Sequence, residues 1–186
     1  MPRTVALLRG INLGRSRRVA MAELRELLEG LGYADVRTHL QSGNAIFGTD
    51  DRPAAVAAAI EAAMAERLGM EVGVVVRTGE ELAAIVAADP LGDVADDPAR
   101  RMVVFLPAKP NRAALQALGA LQAEDLGDER LEVGAREVYA WCPGGVGRSR
   151  LMAALGTGTT TPGGTARNWR TVTALAEMAG PPPTGS

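Results

Sequence analysis

The chain has 186 residues, 47% hydrophobic and 3% aromatic, enough for one domain or two small ones whose core must come from Ala, Leu and Val. Its formal net charge of −2 excludes the overall basic excess of a nucleic-acid module, and of the basic residues only Lys109 is lysine. A single cysteine, Cys142, and a single histidine, His39, exclude an internal disulfide and a metal cluster, and no apolar run nears the roughly 18 residues that span a membrane; with no signal-peptide core after Met1, the expectation is a cytoplasmic protein with no cofactor and no membrane partner.

Residues 4–8 (TVALL) are a short apolar run that predicts a buried strand, ended by Arg9, Gly10, Ile11 and Asn12. A basic loop carrying Arg15, Arg17 and Arg18 follows. From about Ala20, Met21, Leu24, Leu27, Leu28 and Leu31 recur at helical spacing, and Gly32 stops the helix. Val36, Thr38 and Leu40 alternate with Arg37, His39 and Gln41, the pattern of a strand with two different faces. Ser42, Gly43 and Asn44 then turn the chain into a partner strand at Ala45, Ile46 and Phe47. Pro53 opens a helix whose face is Val56, Ile60, Met64 and Leu68, with Gly69 at its end. Residues 72–77 (VGVVVR) give a fourth strand, so the first part reads β-α-β-β-α-β, the split, ferredoxin-like unit.

A helix over 80–88 turns Leu82, Ile85 and Val86 inward and closes before Pro90. After an acidic loop at 93–97, residues 102–106 (MVVFL) predict a strand, and Asn111 caps a helix through Leu115, Leu118 and Leu121. Residues 131–133 and 138–141 read as a hairpin, followed by a short helix over 151–155. This second part reads β-α-β-β-α, an echo of the first without a matching sequence repeat. The predicted fold class is therefore α/β (α+β): two ferredoxin-like β-α-β-β-α-β-type halves, the second incomplete, plus C-terminal helices. The halves are placed at 1–78 and 79–180, with 181–186 as a flexible tail.

Topology brings distant polar residues together. Strands one and two run the same way in such a unit, so the end of strand one and the turn after strand two share one sheet edge. Arg9 and Asn12 should therefore meet Gln41, Ser42 and Asn44, although they stand about thirty residues apart. Gly10 and Gly43 suit a left-handed backbone or the close approach of a ligand. A third polar stretch, residues 156–173, reads as a Gly/Thr-rich loop feeding a helix capped by Thr165. There Arg167 and Arg170 oppose the helix dipole at a cost of roughly 0.3–1 kcal/mol each, unless an anion binds. Residues 158–165 lack the lysine of a phosphate-binding P-loop, Gly164 standing in its place. Residues 144–150 add another basic loop, with Arg148, Ser149 and Arg150.

These motifs resemble one family. LRGIN at the first strand, VRTHLQSGN at the hairpin, GRSRL late and TARNWRTV near the end, in this order over nearly the whole chain, resemble the bacterial domain-of-unknown-function family 1697. The resemblance implies two ferredoxin-like α/β halves and implies no activity. Its motif positions are Arg9, Gly10, Asn12, Gln41, Ser42, Gly43, Asn44, Arg148, Ser149, Arg167, Asn168 and Thr171, and these form the candidate ligand-binding set. The family more often has lysine at Arg150 and an aromatic at His39.

No catalytic residue is assigned. His39 is a candidate base and Ser42 a candidate nucleophile, but a third triad member is missing. Cys142 reads as a small buried filler, and Trp169 as a core or shelf residue. Single-stranded RNA stacking is unsupported, since of strands one and three only the latter has an aromatic, Phe47. Three readings are open. The first is a binding module for an anionic ligand, either a phosphate-bearing small molecule or a nucleic-acid backbone. The second is a transferase or hydrolase acting on a phosphorylated substrate in the same pocket. The third is a protein-interaction module whose amides only fix its loops.

Overall fold

The computed structural model describes residues 1–12 and 18–180. Arg15 and Arg17 of the basic loop and the tail at 181–186 lie outside the described residues. Chain contacts divide the protein into two compact units, Met1–Ala87 with the chain from Ala174 on, and Ala88–Thr173. Among the described residues no helix is long and apolar enough to cross a membrane.

The first unit runs β1 (Arg3–Leu8), α1 (Met21–Gly30), β2 (Ala34–His39), β3 (Asn44–Gly48), α2 (Pro53–Leu68), β4 (Val74–Thr78) and α3 (Gly79–Ala88). Its four strands pair antiparallel in the order β2-β3-β1-β4. Alternation sends Ala6, Leu8, Ala45, Phe47, Val74 and Val76 to one face, where α1 adds Leu24, Leu27 and Leu28 and α2 adds Val56, Ile60 and Met64. Tyr33 stacks on Phe47 with ring centroids 4.5 Å apart. α2 starts with Pro53 in its first turn and ends at Gly69, whose φ of 62° makes the left-handed C-cap. β2 is an edge strand with an irregular register between Ala34 and Arg37. At that irregularity Asp35 has a φ of 51°, and its carboxylate pairs with Arg3 at 3.2 Å.

The second unit runs β5 (Arg101–Phe105), α4 (Arg112–Ala123), β6 (Arg130–Val133), β7 (Glu137–Trp141), a 3-10 turn at Val146–Arg148, α5 (Arg150–Leu155) and β8 (Thr165–Asn168); α6 (Trp169–Ala179) follows. The sheet order is β6-β7-β5-β8, again antiparallel throughout. Val104, Leu106, Val138, Ala140 and Cys142 pack with Leu118 and Leu121 of α4 and Leu151 and Leu155 of α5. Asn111 caps α4, its Oδ1 accepting from Ala114 N at 2.9 Å.

Two sequence expectations are corrected here. The second half is not incomplete: β8 supplies its fourth strand, beside β5 as β4 lies beside β1. Thr165 is not a helix cap and Arg167 is not in a helix. Both belong to β8, and the cap is Asn168, whose Oδ1 accepts from Thr171 N at 2.9 Å. The physical reason lies in the match between the two sheets. Val5 stands opposite Arg77 on β4, and Val103 stands opposite Arg167 on β8. After each arginine comes a capping residue and a helix. Thr78 Oγ1 accepts from Glu81 N at 3.1 Å and Thr78 N donates to Glu81 Oε2 at 3.0 Å, a capping box that Asn168 reproduces by half. Residues 76–82 (VRTGEEL) and 166–172 (ARNWRTV) thus hold the same place in the two sheets, with Arg77 and Arg167 their one identical position.

Candidate functional site

In the first unit the end of β1 and the β2–β3 turn meet as the topology demands. Leu8 N donates to Gly43 O at 2.8 Å, and Arg9 N donates to Gly73 O at 2.8 Å. Gly10 and Asn12 then turn the chain with φ values of 67° and 55°, while Ile11 between them is buried. Asn12 stitches three segments. Its Nδ2 donates to Gln41 O at 2.7 Å and to Val19 O at 3.0 Å, and its Oδ1 accepts from Val19 N at 2.8 Å. Only this orientation of the amide gives donors to both carbonyls and an acceptor to the N–H.

Beside Asn12 lies a cavity of about 360 Å³ lined by Asn12, Arg18, Val19, Ala20 and Gln41. α1 begins directly after Ala20, which has no side-chain oxygen to offer the first N–H groups; Glu23 reaches back only to Ala20 N, at 3.3 Å. The positive end of the α1 dipole therefore adjoins a cavity that Arg18 also lines.

The turn itself spans Leu40 to Gly43 and contains two left-handed residues, Leu40 at φ 60° and Gly43 at φ 80°. Gly43 has no alternative. A Cβ there would stand 2.6 Å from Ile11 Cδ1 and 2.9 Å from Leu8 Cβ. Leu40 has one, since a leucine in this conformation carries roughly 1–2 kcal/mol of strain that glycine or asparagine avoids. Asn44, fully buried, opposes the strain by donating from Nδ2 to His39 O at 2.8 Å and to Ser42 Oγ at 2.9 Å. Arg9, Arg18, Gln41 and Ser42 are exposed, and His39 is half-buried on the strand opposite Asn44. Gln41 lies in the turn rather than on the strand with His39.

The remaining candidates belong to the second unit. Arg148 is exposed on the 3-10 turn. Ser149 is buried and caps α5 by accepting from Met152 N at 2.9 Å. It also hydrogen-bonds Cys142, whose thiol burial pushes up and out of reach, a filler as expected. Arg167 is 7% exposed and donates from Nη1 to Thr165 Oγ1 and Ala166 O, both at 2.8 Å. Burial pulls its pKa down to about 10. Its place on β8 removes the argument that set it against a helix dipole; Arg170, exposed in the first turn of α6, keeps that position. Thr171 is buried, its N–H taken by the Asn168 cap.

Sequence reasoning missed Arg101. Its side chain is buried, pairs with Asp89 and lies over the Trp169 ring at 3.6 Å from the centroid. Nothing in the order of residues around position 101 distinguishes this arginine from its neighbour Arg100. Among the described residues no group of three or more His, Cys, Asp or Glu could hold a metal ion.

Comparison with solved structures finds a similar fold in the conserved bacterial protein SP0830 from Streptococcus pneumoniae. The TM-score is 0.77 at 24% identity, over 96% of this chain and 98% of that one. No curated protein matches the chain. The family described as "Protein of unknown function (DUF1697)" matches residues 1–139, a span that includes the β1 end and the β2–β3 turn. A match over most of the length settles membership: the chain belongs to the DUF1697 family.

Proposed function

We propose that the first unit is a binding module for an anionic, phosphate-bearing ligand seated beside Asn12, Arg18 and Gln41. The observation that carries this reading is the cavity of about 360 Å³ lined by Asn12, Arg18, Val19, Ala20 and Gln41, next to the start of α1. An arginine and the start of a helix beside one space favour negative charge there. Arg9, exposed at the end of β1, adds a further cation to the same unit.

Titration of inorganic phosphate against the isotope-labelled chain tests the reading. Saturable amide shifts at Gln41, Val19 and Ala20 are expected, and Arg18→Ala should weaken binding about tenfold. Shifts that spread over the surface without saturating would overturn it. A nucleic-acid backbone would instead reveal itself through affinity falling by roughly 0.9 log units per tenfold salt for each phosphate neutralised.

A second reading has its own observation. The amides of Asn12 and Asn44 both bond backbone carbonyls, which is what a purely structural polar knot requires. That reading expects Asn12→Ala to lower the melting temperature while no phosphate-induced shift exists to be lost.

A further inference from the structure

A glycine inside a paired strand calls for a reason. Gly48 closes β3 and is flanked on both sides, by Arg3 of β1 and by Ala34 of β2. Its φ is not left-handed, and a Cβ there would stand 3.5 Å from Met1 Cβ and 3.7 Å from Ala34 Cβ, ordinary contact. Gly79 differs, since a Cβ there would meet Ala179 O at 2.5 Å. Neither the backbone nor the neighbours therefore demand glycine at position 48, where a side chain would strengthen the strand; a glycine so placed marks the close approach of something else. Gly48 lines a cavity of about 920 Å³ together with Arg3, Asp35, Glu80, Ala83 and Gly180, all in the first unit. The wall is mostly apolar, half of the described residues around it are glycine or alanine, and its size suits a small organic molecule. The length of β1, about 17 Å, separates it from the cavity beside Asn12.

The charged side chains of this wall are Arg3, Asp35 and Glu80. Glu80 is exposed in the first turn of α3, where the helix dipole favours a carboxylate. Arg3 and Asp35 form an unequal pair at 3.2 Å, the arginine side chain 26% exposed and the aspartate 71%. Among the described residues Arg3 donates twice, both times to Asp35, of the five N–H groups that a guanidinium carries. A guanidinium largely out of water, with donors to spare and apolar surface beside it, favours an oxyanion with an apolar body. We infer that this cavity binds a carboxylic acid with an apolar body, its carboxylate on Arg3 and its body in the space that Gly48 and Ala83 leave open. A carboxylate matches the planar fork of the guanidinium with a single charge, whereas a phosphate would bring a second charge toward Asp35 and Glu80.

Calorimetry on the full chain with 4-phenylbutanoate, 4-phenylbutanol and 4-phenylbutylamine, one body with three head groups, tests the inference. The acid should bind about tenfold tighter than the alcohol, the scale of a charge-assisted hydrogen bond, and the amine more weakly still. Arg3→Met should erase that order. Asp35→Asn keeps a residue that tolerates the left-handed backbone and removes the competing charge, so it should tighten the acid about threefold. Ala83→Phe, at an exposed helical position, and Gly48→Val should each fill the space and weaken the acid about tenfold or more, with thermal melts confirming that they fold. Arg18→Ala should leave the acid's affinity as it was. The inference is overturned if the wild type binds none of the three compounds, if the alcohol or the amine binds as tightly as the acid, or if the order survives Arg3→Met. It is equally overturned by weaker acid binding in Asp35→Asn, by acid binding that both filling variants leave unchanged, or by a loss in Arg18→Ala, which would move the acid to the other cavity.

Discussion

The two sheets share a strand order and differ at one edge. At the end of the first strand in each, a leucine N–H reaches the turn of the neighbouring hairpin: Leu8 to Gly43 O and Leu106 to Arg136 O, both at 2.8 Å. The residue that opens the third strand then ties its own turn, in opposite senses. Asn44 donates to the His39 carbonyl and the Ser42 hydroxyl, whereas Glu137 accepts from Ala135 N and Arg136 N, both at 3.1 Å. Beyond that the edges diverge. In the second unit the chain passes from Leu106 to Asn111 and enters α4 through an ordinary cap. In the first, Asn12 bonds both Val19, ahead of α1, and Gln41 in the hairpin turn, and a cavity lies beside it. The lesson is that the scaffold tolerates a plain edge, so the elaboration of the first is not demanded by the fold.

The largest way to break this comparison is Gly43→Ala. The new methyl would meet Ile11 and Leu8 in a left-handed backbone, a loss of about 2–4 kcal/mol. Native-state hydrogen exchange should quicken at the Leu8 amide and leave the Leu106 amide as it was. Equal acceleration at both would mean that the two edges do not respond separately. Next come the two asparagines that precede the first helix of each unit. Asn12→Ala removes three hydrogen bonds and should cost about 2–3 kcal/mol, against about 1 kcal/mol for the single cap lost in Asn111→Ala. Denaturant midpoints giving the opposite order would remove the distinction between clamp and cap.

The smallest effect is silent at neutral pH. Burial first, then Glu137 and Asp89, push the Tyr139 phenol up to about 12, with Arg101 pulling the other way. A folded value above the unfolded one, about 10, means stability that is present below pH 10 and is lost as pH rises through 12. Tyrosinate absorbance should therefore show a late component that Tyr139→Phe deletes. A component that persists in that variant would assign the shift to Tyr33, the chain's other tyrosine.

Most elements were legible because each carried two agreeing signals. α2 had both its apolar face and its Pro53 and Gly69 ends, and α4 had Asn111 ahead of Leu118 and Leu121. β8 had neither. Four residues long, it alternates no apolar side chains, and it buries Arg167, so hydropathy reads it as loop. Two capping residues, Thr165 and Asn168, stand three apart, and only the pairing with β5 decides between them. The likeness of β8 to β4, an arginine followed by a capping residue at Arg77 and Arg167, is too short to read as a repeat. In the candidate site, the meeting of Asn12 with Gln41 followed from topology. The spending of both amides on backbone did not, because a side chain's partner depends on where carbonyls point after folding.

The kink in β2 has a consequence outside the molecule. A straight outer strand offers its free N–H and C=O groups to any other chain, the first step of sheet-to-sheet aggregation. Here the register breaks between Ala34 and Arg37, Asp35 turns left-handed, and an ion pair with Arg3 sits at the break. An incoming strand would find its hydrogen-bond ladder interrupted and a carboxylate in its path. Straightening that segment by Asp35→Val would give the protein a sticky border and a tendency to form fibres during expression.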